Sequence, residues 1–243
     1  MPQAIFFDLD ETLIRHSTPI MEQLQNVCHQ HLADLSEVRW NAFHQHLMTN
    51  VGQLWREMES FQGRCEAEFI SIFRGALKEA GGDAALAETI IEAFLASVVD
   101  STGPTKGAHD VLDHLAEAGI ATGIITNGFA FLQKRKVAAH GFADRVRFVL
   151  ASEEAGAHKP DPRIFQLALQ KVGLAAADSW HVGDHRENDV AGALGAGLGA
   201  VLFAPEPPSV DAVPNQESLN PAHFRVITCL TEIPDLIAGH YNR

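Results

Sequence analysis

The stretch "TGPTKGAHDVLDHLAEAGIATGIIT", residues 102–126, sets a helical pattern directly against an apolar strand. Its first part repeats apolar residues at helical spacing and stops at Ala-Gly, and "IATGIIT" then runs as a short buried strand. The same couplet continues downstream. A helix over about Phe129 to His140 precedes "VRFVL", the helix "DPRIFQLALQKVG" precedes "WHVGD", and the helix "NDVAGALGAG" precedes "LGAVLFA". Strands alternating with helices predict a parallel sheet with crossover helices. Upstream, residues 4–9 read as one more buried strand, but from about residue 17 to 100 the periodicity is mainly helical, with polar breaks near "ADLS", "NVGQ", "QGR" and "AGGD". That segment predicts four or five helices inserted after the first strand. The expected organisation is an α/β core of residues 1–15 and 101–243, interrupted by a helical insertion over 16–100.

Composition narrows the class. A chain of 243 residues can bury a sizeable core, and its 46% hydrophobic content is ordinary for a globular protein. No apolar run approaches the roughly 20 residues of a bilayer span, and "MPQAIFFDLD" lacks the features of a secretory signal. The three scattered cysteines, Cys28, Cys65 and Cys229, argue against a disulfide framework, so the reading is a cytoplasmic protein. A net charge of −13 disfavours nucleic-acid backbones and anionic membranes as partners.

Ligands of open parallel sheets bind beyond the carboxyl ends of the strands, so the polar residues that close each strand are the candidates. "AIFFDLDETLIR", residues 4–15, supplies Asp8 and Asp10; "IITNG" supplies Thr126 and Asn127; "WHVGDHREND" supplies Asp184 and Asp189. Lys159, in "AHKPDP", precedes a helix and can reach the same edge. Side chains at i and i+2 of a strand share a face, so Asp8 and Asp10 would sit side by side and repel, calling for a cation between them or a proton on one.

The pieces "FFDLDETL", "IITNG", "HKPDPRIF" and "HVGDHRENDVAGA" resemble, in order and spacing, the haloacid dehalogenase superfamily, in its phosphatase branch with a helical cap after the first strand. The resemblance implies a Rossmann-like core, an aspartyl-phosphate intermediate and magnesium (Mg2+). Glu11 departs from the pattern, standing where many members carry glycine.

Chemistry assigns matching roles. A carboxylate can attack phosphorus and split hydrolysis into two displacements, which makes Asp8 the expected nucleophile. Asp10 is the expected acid and base, donating to the leaving oxygen and later accepting from water. Anion repulsion must be neutralised, so Asp8, the main chain of Asp10, and Asp184 are expected to hold Mg2+, with Asp189 in support through water or Lys159. Thr126, Asn127 and Lys159 are the expected phosphate-binding groups, Lys159 also acting on the nucleophile. The expected partner is a small phosphorylated metabolite, with no nucleic acid and no membrane. His185 and Arg186 either touch the substrate or face solvent.

Other features carry less. "GALGAGLGA", residues 192–200, has dinucleotide-like glycines but follows a helix and precedes a strand, the reverse of the required context. His29 with His31, and His44 with His46, sit at i,i+2 spacing, which points side chains apart on a helix. The proline-rich stretch 204–221 reads as a surface loop, and Trp55 and Arg56 as helix packing or a specificity surface. Dehalogenation would use an aspartate nucleophile without an acid at Asp10 or a metal; a phosphomutase would share the whole set; a silent phosphate-binding protein would be expected to have lost one of these groups.

Overall fold

The computed structural model describes residues 1–32, 35–57, 64–205 and 223–239. In chain order it contains β1 (Ala4–Phe7), β2 (Ile14–His16), α1 (Ile20–His31), α2 (Glu37–Arg56), α3 (Cys65–Glu79), α4 (Ala87–Asp100) and β3 (Thr102–Pro104). Then come α5 (Ala108–Glu117), β4 (Ala121–Thr126), α6 (Ala130–Ala139), β5 (Val149–Ala151), α7 (Ser152–Ala155) and α8 (Pro162–Val172). The chain continues through β6 (Ser179–Gly183), α9 (Gly192–Gly195), β7 (Gly199–Phe203), β8 (Phe224–Ile227) and α10 (Ile233–Ile237). Residues 1–15 with 104–243 form one compact unit and residues 16–103 another, so the second crossing falls three residues beyond the expected Ser101.

The first unit is built on a six-stranded sheet in the order β5-β4-β1-β6-β7-β8, with every neighbouring pair parallel. Alternation along β1 drives the layering. Ile5 and Phe7 point into a core shared with Val111, Leu112 and Leu115 of α5 and with Val137 of α6. Ala4 and Phe6 point the other way, against Ile164, Phe165 and Ala168 of α8. Phe6 and Phe7 are both fully buried, each contributing roughly 1.5–3 kcal/mol of transfer free energy. The connections run outward from β1 in both directions, so the strand order reverses beside β1, where open sheets form their ligand crevice.

The second unit packs α2 on α3 and α1 on α4. Phe43 of α2 meets Phe73 of α3 edge-on, with ring centroids 5.1 Å apart. Two of the expected breaks mark helix ends: Ser36 caps α2 by accepting from the Arg39 N–H, and Gly81 takes a positive φ just after α3. The break expected at "NVGQ" is absent, because α2 runs through it. Leu47 and Leu54 bury the same helix on either side of Gly52, and the Asn50 amide bonds back to the His46 carbonyl instead of competing for a turn. His29 and His31 each donate from Nδ1 to the carbonyl four residues back in α1. No described helix is long and apolar enough to cross a membrane. Residues 206–221 of the proline-rich stretch lie outside the described residues.

Candidate active site

Beyond the carboxyl ends of β1, β4 and β6 lies a cavity of about 220 Å3 lined by Asp8, Asp10, Thr126, Asn127, Lys159, Asp184 and Asp189, together with Glu11, His185 and Asn188. The structure thus brings all seven sequence-derived candidates to one place within the first unit. His185 lines the cavity and Arg186 does not. Two larger clefts, of about 400 and about 440 Å3, open around Met1 and Pro2. Neither gathers the acids of the strand ends.

β1 ends at Phe7, one residue before the first acid. The Asp8 N–H still donates to the Val182 carbonyl at 2.8 Å, which anchors that carboxylate at the sheet edge. The chain then turns sharply: the N–H groups of Leu13 and Ile14 both reach the Leu9 carbonyl, and Glu11 sits at φ 56. That left-handed backbone favours glycine, the physical reason for the residue that Glu11 replaces in the family pattern. Because the strand stops at Phe7, the i,i+2 geometry of a strand does not govern Asp8 and Asp10, which line the same cavity. Lys159 Nζ lies 2.8 Å from Asp8 Oδ1, while Lys136 Nζ of α6 lies 2.6 Å from Asp10 Oδ1. Each aspartate has its own ammonium group.

Lys159 is itself held from two sides. Its Nζ lies 2.6 Å from Asp189 Oδ1, and its main chain is clamped by Asn127, whose Oδ1 accepts from the Lys159 N–H and whose Nδ2 donates to the Lys159 carbonyl. The Asn127 side chain therefore spends one N–H and its carbonyl on placing the lysine. Asp189 lies in a π-helical turn, Arg186–Ala191, where helix was expected from Asn188 onward. Its Oδ1 also lies 2.9 Å from His181 Nε2, and its Oδ2 accepts from the His185 N–H at 2.9 Å. Gly183 makes this possible: a Cβ there would stand 2.2 Å from Asp189 Cγ.

Three polar residues that bond the acids of the site were not read from the sequence. Gln133 Nε2 lies 2.7 Å from Asp10 Oδ2 and 2.6 Å from Thr126 Oγ1, and Lys136 completes the contact from the next turn. Gly128 leaves room for this, since a Cβ on it would stand 2.9 Å from Gln133 Cδ. His181 closes the far side of Asp189. The available signal was polar residues at i,i+3 among the apolar positions of α6, and a histidine inside a strand.

Electrostatics in the cavity are uneven. Burial, reinforced by Asp189 and Asp10 and opposed by Lys159, raises the Asp8 carboxyl to about 7. Burial and Asp189 also raise Asp184. Burial pushes Asp189 up too, but Lys159 and His181 outweigh it and hold that carboxyl well below the usual range. His181 is lowered by burial despite Asp189, so it is neutral near pH 7. Burial alone would lower Lys159, yet Asp189 and Asp8 hold it up.

Among the described residues, Asp8, Asp184 and Asp189 place carboxylate oxygens within 4.8 Å of one another. Asp189 already spends both oxygens on protein donors. Asp8 and Asp184 are hard oxygen donors, and burial, reinforced by Asp189, raises both carboxyls even with Lys159 nearby. The five acids that line the cavity, Glu11 among them, outnumber Lys159 and Lys136, an excess that suits a divalent cation such as Mg2+.

The sequence matches the haloacid dehalogenase-like hydrolase family over residues 2–197, and the chain belongs to that family. It is 40% identical to the phosphoserine phosphatase of Thermus thermophilus over 54% of its own length and 52% of that protein. It thus spans about half of that relative. It is 28% identical to the ribulose-1,5-bisphosphate 5-phosphatase of Halopiger xanaduensis over 98% of this chain and 100% of that protein. Among solved structures, a 2-haloacid dehalogenase from Pseudomonas syringae pv. tomato DC3000 superposes with a TM-score of 0.75 at 30% identity, covering 99% of this chain and 100% of the other.

Proposed function

We propose that this hydrolase is a magnesium-dependent phosphatase that cleaves a small phosphomonoester through an aspartyl-phosphate on Asp8. The observation that carries the reading is the division of the two aspartates between separate cations, Lys159 for Asp8 and Lys136 for Asp10. A nucleophile and an acid/base group need different protonation at the same moment, and separate partners allow it. Phosphatase relatives from Thermus and Halopiger support the same class.

In the reaction, Asp8 attacks phosphorus as the bond to the leaving oxygen breaks, and Asp10 gives that oxygen its proton. Water then attacks the phosphorus of the acyl phosphate, Asp10 takes the water's proton, and Asp8 returns as a carboxylate with release of phosphate. Lys159 offsets charge on the nucleophile and the phosphoryl oxygens, and Thr126 and Asn127 donate to those oxygens. Asp8, the main chain of Asp10, and Asp184 would hold Mg2+, with Asp189 fixing Lys159. The ion supplies charge neutralisation between the carboxylate and the phosphate dianion. The helical unit of residues 16–103 serves as a cap that selects the substrate.

A second reading has one observation in its favour, the likeness to a structure described as a 2-haloacid dehalogenase. Halide, however, leaves unprotonated, and a dehalogenase has no use for the Asp10 arrangement. The test is release of phosphate from a panel of phosphorylated metabolites with Mg2+, run beside release of halide from 2-haloacids. Phosphate release that ends on chelation supports the proposal; halide release with no phosphate release sinks it.

A further inference from the structure

Gln133 and Lys136 stand one turn apart on the buried face of α6, beside Val137. They are 2% and 1% exposed, at positions where an amphipathic helix normally places apolar groups. A buried ammonium or amide is costly without partners, so such residues report what they are bonded to. Here the bonds lead into the catalytic cavity. Lys136 Nζ meets Asp10 Oδ1 at 2.6 Å, and Gln133 Nε2 reaches both Asp10 Oδ2 and Thr126 Oγ1.

We propose that Gln133 and Lys136 are the positioning pair of the reaction, aiming the Asp10 carboxyl group at the leaving oxygen and the Thr126 hydroxyl proton at the phosphoryl group. The inference rests on Asp10 being the acid and base. Each oxygen of Asp10 receives a bond from α6, and two bonds from one rigid helix fix the plane of a carboxyl group. The Thr126 oxygen accepts from Gln133, which commits its own O–H to donation elsewhere. Neither side chain touches the reacting atoms; both act through groups that do. A purely structural role would be served as well by apolar side chains of similar size.

Leaving-group dependence separates these roles. An alkyl phosphate such as glycerol phosphate expels an alkoxide that must be protonated, whereas 2,4-dinitrophenyl phosphate expels a phenolate that need not be. With Mg2+ present, Lys136→Met is expected to lower kcat on the alkyl ester about tenfold or more beyond its effect on the dinitrophenyl ester, with KM changed by less than about threefold. Gln133→Leu is expected to show the same selective loss and, through Thr126, a higher KM for both esters. Magnesium affinity measured by calorimetry should stay within about threefold of the wild type in both variants, since neither residue is a metal ligand. Asp10→Asn provides the reference and should show the steepest leaving-group dependence.

Should one variant fail to fold, the other carries the test. Equal losses on both esters in a folded variant, or unchanged kinetics, overturn the inference while Asp10→Asn still upholds the acid/base reading. Equal losses in Asp10→Asn, or a wild type inactive on both esters, overturn that reading and this inference with it.

Discussion

Burial makes the Asp8 carboxyl hold its proton well above the ordinary carboxylate range, which ties Asp8 to both metal and pH. For Asp8 the folded value lies above the ordinary 3.8, so its contribution to stability is present below about pH 4 and is lost as pH rises through about 7. Asp189 has the opposite sign: held low, it stabilises above its ordinary value and loses that contribution on acidification. Held as proposed, Mg2+ would compete with the proton on Asp8 and Asp184. Thermal melts with and without Mg2+ should therefore show a shift in Tm that grows from about pH 5 to about pH 8. A shift independent of pH would mean that these carboxyls are not the ligands. At the same scale, Asp8→Asn should lower kcat by about a thousandfold or more while the fold survives, because Lys159 keeps its bond to Asp189. Steady-state kinetics beside circular dichroism checks both halves.

Elements decide how finely these groups are placed. Gly183→Ala would push a Cβ against Asp189 and should destabilise the protein by about 1–3 kcal/mol, with a large fall in kcat. Gly195→Ala, at a position where a Cβ meets nothing within 4 Å, should stay within about 1 kcal/mol of the wild type in the same denaturant titrations. Strands β1, β4, β6 and β7 and the helix α8 were legible because apolar runs and caps announce them. Asp161 caps α8 with Pro162 at its first position, and Gly173 ends it. The acids at the strand ends followed from the topology. Gln133, Lys136 and His181 did not, because a polar residue on a helix or strand reads as solvent-facing until its partners are known. The strands β2 and β3 are three residues each, and β8 is interrupted by Arg225 where β1 is a continuous apolar run, so none of the three was read. The π-helical turn replaced expected α-helix because the Val190 N–H reaches back five residues to the His185 carbonyl at 3.3 Å, which the Asp189 N–H also reaches at 2.8 Å.

Across the whole chain, a net charge of −13 would repel the anionic substrate proposed, so the local cations Lys159 and Lys136 must offset the acids of the cavity. In the proposed division of labour, the helical unit selects and the α/β unit performs the chemistry. Alanine substitution of polar residues in the helical unit, with Arg56 at the end of α2 among them, should change kcat/KM ratios among metabolites far more than hydrolysis of a small generic ester. Equal losses on both substrate types, with the fold intact, would place chemistry in the helical unit. The proposed reaction turns on a covalent intermediate on Asp8. Its most direct measurement is an acid quench during turnover of a phosphomonoester with Mg2+, followed by borohydride reduction of any acyl phosphate and mass spectrometry of the peptide spanning residues 4–15. A substrate-dependent conversion of Asp8 alone to the reduced alcohol is expected, absent when the metal is chelated. Active turnover with Asp8 unmodified, or with the modification on Asp10, would contradict it.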